Sequence, residues 1–257
     1  GDLRVLMMGD VIGRPGRRAV QALLPGLRDE YAIDLVVANG ENAAAGFGIT
    51  LETAQELFDG GVDVITSGNH IWDQKEIIPH LDTELPILRP LNYPSTVPGK
   101  GYVNVKGAIV VSLIGRVFVG NYDCPFRAMD ALLEELGESS RVILVDFHAE
   151  ATSEKTAMGW YLDGRVSAVV GTHTHVGTVD TSLLLQGTAY VSDLGMVGPS
   201  HSVIGSTIED VMERFLNQTP RRLTVASGAV KFGSVMVDID ESTGRATQIT
   251  RVDREVK

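Results

Sequence analysis

Five short apolar runs in this chain end alike, each delivering a polar side chain of metal-ligand type where a strand should stop. Val166, Ala168, Val169 and Val170 lead into GTHTHV, which holds His173 and His175. Leu6, Met7 and Met8 lead into Asp10; Leu35, Val36 and Val37 into Glu41 and Asn42; Val62, Val64 and Ile65 into Asn69 and His70; and Val142, Ile143, Leu144 and Val145 into His148. Residues two apart point the same way only in extended backbone, so an extended His173 and His175 turn both imidazoles toward one point beyond the strand end. A fold that honours all five endings has to gather its strand ends at one rim, where open α/β sheets bind ligands.

Between these runs the first half carries helical patterns, which reads as α/β. Val20, Leu23, Leu24 and Leu27 recur at helical spacing from Pro15 to about Tyr31, and a second helix is expected over Thr50 to Phe58 with Thr50 as its N-cap. The proline-rich stretch Leu85 to Gly101 predicts a loop, Val103 to Leu113 a hairpin turning at Lys106 and Gly107, and Ala128 to Leu136 a helix. A strand follows at Arg141 to Asp146 and a helix at Lys155 to Tyr161. After Leu183 strand-like runs dominate: Leu183 to Leu185, Ala189 to Ser192, Leu223 to Ala226 and Ser234 to Ile239, with one helix near Ile208 to Leu216 and antiparallel connections. With no linker or repeat, residues 1–257 read as one domain, two packed sheets flanked by helices.

Lys and Arg total 22 against 33 Asp and Glu, a net charge of -11, which argues against duplex nucleic acid or an anionic membrane as a partner while leaving room for a local pocket that holds phosphate. The single cysteine, Cys124, excludes an intrachain disulfide and a thiolate cluster. With no secretion signal and no run of about 20 apolar residues, the expected location is the cytoplasm and no membrane is expected as partner.

The donors at the strand ends, Asp10, Glu41, Asn42, Asn69, His148, His173 and His175, offer oxygen and imidazole without sulfur, a set suited to Mn, Fe or Zn. Seven are too many for one tetrahedral ion and fit two divalent metal ions per chain. Two cations ~3.5 to 4 Å apart can share a hydroxide and clamp a phosphoryl group during an in-line displacement.

The ordered motifs GD at Gly9 and Asp10, GEN at Gly40 to Asn42, GNH at Gly68 to His70, FHAE at Phe147 to Glu150 and GTHTH at Gly171 to His175 resemble those of the calcineurin-like metallophosphoesterases. The longer strings GENAAAGFG, GNHIWD, RPLNYP, DFHAEATSEK and SDLGMVGP resemble more closely the YmdB-like phosphodiesterases of that superfamily. The resemblance implies a four-layer αββα sandwich, a dinuclear site and a hydrolase that cleaves phosphodiesters such as 2',3'-cyclic nucleotides, a small phosphate-ester substrate. It implies one ion on Asp10, Glu41, Asn42 and His175 and another on Glu41, Asn69, His148 and His173. Two departures from the wider superfamily stand out: Ile12 replaces a ligating His, for which Asn42 is the natural substitute, and the bridging residue Glu41 is Glu rather than Asp. His70 is implied to be catalytic, as general acid or as stabiliser of charge on the transferring phosphoryl group. Its side chain is expected to project opposite to that of Asn69 in extended backbone. The alternatives are a phosphomonoesterase or protein phosphatase of the same fold, and a metal-loaded regulatory protein without turnover.

Other residues carry weaker signals. Gly46 and Gly48 suit a turn beside the metals, and Asp146 and Glu150 could orient the imidazoles. Arg89, Asn92 and Arg116 are candidates to meet a phosphate, and Trp72 to stack on a base or to serve as wall. His80 and His201 read as surface residues. Apolar loops near Ile71 and Phe118 are candidate surfaces for a homo-oligomer.

Overall fold

The runs that precede the ligand-type residues form strands because aliphatic side chains are buried on both faces of them; every residue of Leu35–Asn39, Val64–Thr66, Val142–His148 and Ala168–Thr172 is buried. The computed structural model describes residues 1–257. In chain order the first elements are β1 (Asp2–Met8), β2 (Asp10–Val11), α1 (Gly13–Tyr31), β3 (Leu35–Asn39), α2 (Leu51–Asp59), β4 (Val64–Thr66), β5 (Tyr102–Val105), β6 (Ala108–Ile114), α3 (Pro125–Leu136) and β7 (Val142–His148). Then come α4 (Thr152–Leu162), β8 (Ala168–Thr172), β9 (Ser182–Leu183), β10 (Ala189–Val191), β11 (Met196–Pro199), α5 (Ile208–Asn217), β12 (Val230–Phe232), β13 (Ser234–Asp240), β14 (Ala246–Arg251) and β15 (Arg254–Val256).

One sheet runs β14-β13-β1-β3-β4 and a second β5-β6-β7-β8-β10-β9. Within them β1, β3 and β4 are parallel, as are β6, β7, β8 and β10. Parallel strands leave all their C-terminal ends on one side, which is the physical reason the donors can meet. Val5, Met7 and Val37 of the first sheet pack on Val110, Leu144 and Val170 of the second. Alternate residues Leu6, Met8 and Val36 face Val20, Leu24 and Leu57 of α1 and α2. On the far side Val111, Val145 and Phe147 face Met129 and Leu132 of α3 and Met158 and Leu162 of α4. The result is the four-layer αββα sandwich expected from the sequence. No helix is long and apolar enough to cross a membrane.

Local chemistry sets the element ends. Thr50 caps α2 with a reciprocal bond to Thr53, as expected for an N-cap. Lys106 and Gly107, both at positive φ, make the two-residue turn between β5 and β6.

Three expectations are corrected. A third sheet, β15-β12-β11-β2, joins the first residues after β1 to the C-terminal strands. Leu223 to Ala226 is not a strand: Asp210 takes the N–H of Thr224, Gly205 takes that of Ala226, and only Val225 bridges to Ser206. The run from Leu183 shortens to β9 because Leu184 turns back on Thr188.

Candidate metal centre

β8 stops at Thr172, and the two histidines after it are not extended: His173 has φ 98° and His175 φ 69°. Positive φ costs a non-glycine residue ~1–3 kcal/mol unless its surroundings enforce it. Here they do. Between the histidines, Thr174 donates from N and Oγ1 to Asp193 Oδ2 at 3.2 and 2.7 Å, and Gly195 N donates to Asp193 Oδ1 at 2.8 Å. Asp193 is paired at 2.9 Å with Lys155 Nζ, both side chains being buried. The N–H of His173 donates to Asp10 Oδ1. The imidazoles therefore reach one site, but through a kinked loop clamped from behind rather than through a strand.

Hydrogen bonds also set which nitrogen of each ring is free. His175 Nδ1 lies 2.9 Å from the carbonyl oxygen of Ile204, which can only accept, so Nδ1 carries the proton and Nε2 faces Asp10 Oδ2 at 3.3 Å. Thr172 Oγ1 donates to Asp146 Oδ1 at 2.6 Å, so it accepts from His148 Nδ1 at 2.9 Å and leaves His148 Nε2 for the site. Asp146 also receives Thr66 Oγ1 and Asn39 Nδ2. His173 turns Nε2 to Glu150 Oε2 at 2.9 Å and Nδ1 toward His148 Nε2 at 3.1 Å.

Two adjoining groups result. Glu41, His148 and His173 bring one donor atom each within 4.8 Å of one another. Asp10 Oδ2 lies 3.3 Å from His175 Nε2 and 3.4 Å from Asn42 Nδ2. Glu41 Oε1 is 2.6 Å from His148 Nε2 yet outside hydrogen-bond geometry, so the two donors aim at common space rather than at each other. Glu41 Oε1, Asn42 Oδ1 and Asn69 Oδ1 are three of the four buried side-chain polar atoms in the protein without a hydrogen-bond partner. Buried oxygens are rarely left so. Together with the borderline imidazole donors of the site, these oxygens make up a donor set that fits a divalent cation. At Gly68 a Cβ would run into the His148 ring and the Glu41 carboxylate, which explains the glycine before Asn69.

The charges reinforce this pattern. Burial pushes His148 down, but the Glu41 carboxylate, with Asp10 and Asp146, outweighs it and raises the imidazole to about 9. His175 is likewise lowered by burial and raised by Asp10, to about 9. Asp10 and Glu41, opposed by burial, are held below the ordinary carboxylate range by His175 and His148 respectively. Burial and the charge of His148 push His173 down. Burial raises Asp146 to about 6.

Four of the donors, Glu41, Asn42, His173 and His175, line a cavity of about 390 Å³, together with His70 and Glu150 and the apolar Phe47, Ile204, Phe215 and Val225. His70 sits in a 3₁₀ turn, Asn69–Trp72, not in extended backbone, so it does not oppose Asn69 across a strand. Its N–H donates to Glu41 Oε2 at 2.9 Å, and its Nδ1 meets Asp73 Oδ2 at 2.8 Å. Gly46 and Gly48, at φ 92° and 76°, make the turn that carries Phe47 to the cavity.

Several candidates serve elsewhere. Arg89 is buried and spends its guanidinium on the carbonyls of Pro90, Pro98 and Gly99, and Asn92 bonds Ile114 and the carbonyl of Asp123. Both lock the proline-rich loop, whose many carbonyls lack strand partners. Arg116 is exposed and outside the cavity, as is His201, while His80 is partly buried, and Trp72, also outside the cavity, packs edge-on to Tyr93 and against the core. Ile71 is wholly buried in the core rather than exposed, whereas Phe118 is 90% exposed. Sequence reasoning missed Thr172, Lys155, Asp193 and Asp73. Only Asp73 carried a local signal, its spacing of three from His70 on a helical turn.

The sequence profile of the family described as YmdB-like protein matches residues 6–252. The 2',3'-cyclic-nucleotide 2'-phosphodiesterase of Bacillus subtilis (strain 168) is 46% identical over 254 residues, 97% of this chain and 96% of that protein. The chain belongs to the YmdB-like family. Two solved structures share its fold with a TM-score of 0.93 each: a hypothetical protein from Thermus thermophilus, 46% identical over 99% of this chain and 100% of that one, and a novel phosphatase from Mycoplasma pneumoniae, 30% identical over 99% and 94%. This YmdB-like protein is a phosphoester hydrolase of the metallophosphoesterase fold.

Proposed function

We propose that this YmdB-like chain is a dinuclear metal-dependent phosphodiesterase that opens 2',3'-cyclic nucleotides, the substrates named for its B. subtilis relative. The observation that carries the reading is the gathering of Glu41, His148 and His173 donor atoms at one point, with the buried oxygens of Glu41, Asn42 and Asn69 left without hydrogen-bond partners. One ion would be held by Asp10, Glu41, Asn42 and His175, the other by Glu41, Asn69, His148 and His173. When bound, two divalent ions supply positive charge for the phosphoryl oxygens and make an attacking water acidic enough to react near neutral pH.

The chain's own residues do the rest. Asp146 and Thr172 orient His148, Glu150 orients His173, and Ile204 orients His175. The apolar wall of Phe47, Ile204, Phe215 and Val225 covers the nucleoside and limits bulk water over the reacting phosphate. In the reaction the oxygen of water bonds to phosphorus and the P–O2' bond breaks. The 2'-oxygen leaves as a hydroxyl with a proton from His70 Nε2, the proton released by the attacking water passes to solvent and solvent reprotonates His70, and the product keeps a 3'-phosphate. Asp73 on Nδ1 fixes the His70 ring so that Nε2 is the atom that gives the proton.

The test is the products formed from 2',3'-cyclic AMP and from 3'-AMP by Mn-reconstituted protein, with a chelated sample as control. Metal-dependent release of 3'-AMP without free phosphate is expected. Free phosphate from 3'-AMP with no ring opening would make the protein a phosphomonoesterase. No turnover with two ions bound would make it a regulatory protein.

A further inference from the structure

Beside the donor cavity lies a larger groove of about 920 Å³ whose lining includes Arg14, Arg18, Arg222 and Lys257 and no Asp or Glu. In a chain with 33 acidic residues and a net charge of -11 this is a local inversion of sign. The three arginines are exposed and none forms a salt bridge. Arg17 on the same helix is by contrast committed to Glu56 and the carbonyl of Ala43. Arg14 and Arg18, four apart, share the face of α1 that borders the groove.

The groove and the donor cavity share Ala45, Phe47, Leu223 and Val225 as lining. At Gly46, φ 92°, a Cβ would lie 2.8 Å from Val225 Cγ2, so the absence of a side chain lets the Phe47 loop close on Val225 at this junction. Phe47 is 41% exposed there, its ring 5.3 Å from that of His70. An aromatic face at the boundary between a phosphate-chemistry site and a cationic groove is the composition of a single-strand nucleic acid track.

We infer that the preferred substrate is a short single-stranded RNA whose 3' end is a 2',3'-cyclic phosphate, with the terminal nucleotide in the donor cavity and the upstream phosphates along Arg14, Arg18 and Arg222. The inference rests on the phosphodiesterase reading and deepens it. A mononucleotide with one phosphate leaves the three cations unused. A membrane surface cannot enter a concave groove, and the acidic remainder of the protein disfavours a long duplex.

The experiment compares a five-residue oligouridylate ending in a 2',3'-cyclic phosphate with uridine 2',3'-cyclic phosphate, using Mn-reconstituted protein at 50 and 200 mM salt. At low salt the oligomer should show a KM at least about tenfold lower at similar kcat. Three phosphate contacts on a single strand give a log–log salt slope of about -2, so a fourfold rise in salt should weaken the oligomer about 20-fold. The triple variant Arg14→Glu, Arg18→Glu, Arg222→Glu should lose the advantage and keep mononucleotide turnover. Single Arg→Gln variants, each removing about 0.7 from the slope, serve if the triple variant does not fold. Equal KM values for the two substrates, or an advantage that survives in the variants, overturn the inference. Competition by polyglutamate as strong as by a 3'-hydroxyl oligouridylate also overturns it, by making the groove a general anion site. Turnover of neither substrate refutes the phosphodiesterase reading instead. The groove is then read by fluorescence anisotropy of a labelled oligouridylate 3'-phosphate, whose binding should vanish in the triple variant.

Discussion

Replacing Lys155 by Met tests how the histidine loop is held. The side chain keeps its length and loses its charge, leaving Asp193 buried with only Thr174 N, Thr174 Oγ1 and Gly195 N as donors. Breaking a buried ion pair from one side costs ~3–5 kcal/mol, because the remaining charge has no water and no partner. Three surviving donors place the loss at the lower end, about 3 kcal/mol, or a fall in melting temperature of about 6–12 °C for a chain of this size. The loop then relaxes toward the unstrained backbone that His173 and His175 prefer, and metal affinity falls with it. Adding Asp193→Asn removes the stranded charge and should restore at least about 1 kcal/mol, a non-additive cycle. The assay is urea denaturation of chelated protein for stability, with Mn²⁺ affinity by dye competition. A loss under about 1 kcal/mol, or strictly additive single and double variants, would refute the clamp.

Three further outcomes follow from the site. In chelator, His148 and His175, raised to about 9 in the fold against about 6.5 when unfolded, contribute stability that is complete below pH ~6.5 and lost as pH rises through 9; the urea midpoint of metal-free protein should therefore fall from pH 6.5 to 9, and a flat or rising midpoint contradicts the attraction of the two imidazoles to the buried carboxylate charge. Thr172→Val removes the acceptor on His148 Nδ1 and should weaken metal binding about 10- to 100-fold, read by dye competition, while Ser at this position retains it. His70→Ala should keep both ions by elemental analysis and lower kcat on 2',3'-cyclic AMP by roughly 10²-fold or more; unchanged kcat would remove His70 from proton transfer.

The meeting of donors at one rim was legible because parallel strands share a polarity, so five apolar runs ending in ligand-type residues could only converge. The Thr50 cap and the Lys106–Gly107 turn were equally readable, since both are set by local chemistry. What escaped was long-range. Lys155 and Asp193 are 38 positions apart, and nothing near either residue says that they pair beneath Thr174. The helical turn at His70 and the left-handed backbone at His173 and His175 arise from tertiary clamping that overrides the extended reading of their flanks. The segment Leu223 to Ala226 has the composition of a strand, yet side-chain and loop acceptors claim its N–H groups first. Arg14, Arg18 and Arg222 lie 208 positions apart at the extremes, so no charge run revealed the groove they share.

The most direct test of the account is a Mn²⁺ titration of chelated protein that follows bound ions and 2',3'-cyclic AMP hydrolysis together, for wild type and for Glu41→Gln. The account expects two ions per chain in the wild type, activity that rises only as the second ion binds, and loss of both second-ion binding and turnover in the variant. Full turnover in chelator, or in Glu41→Gln with no tightly bound ion, would contradict it.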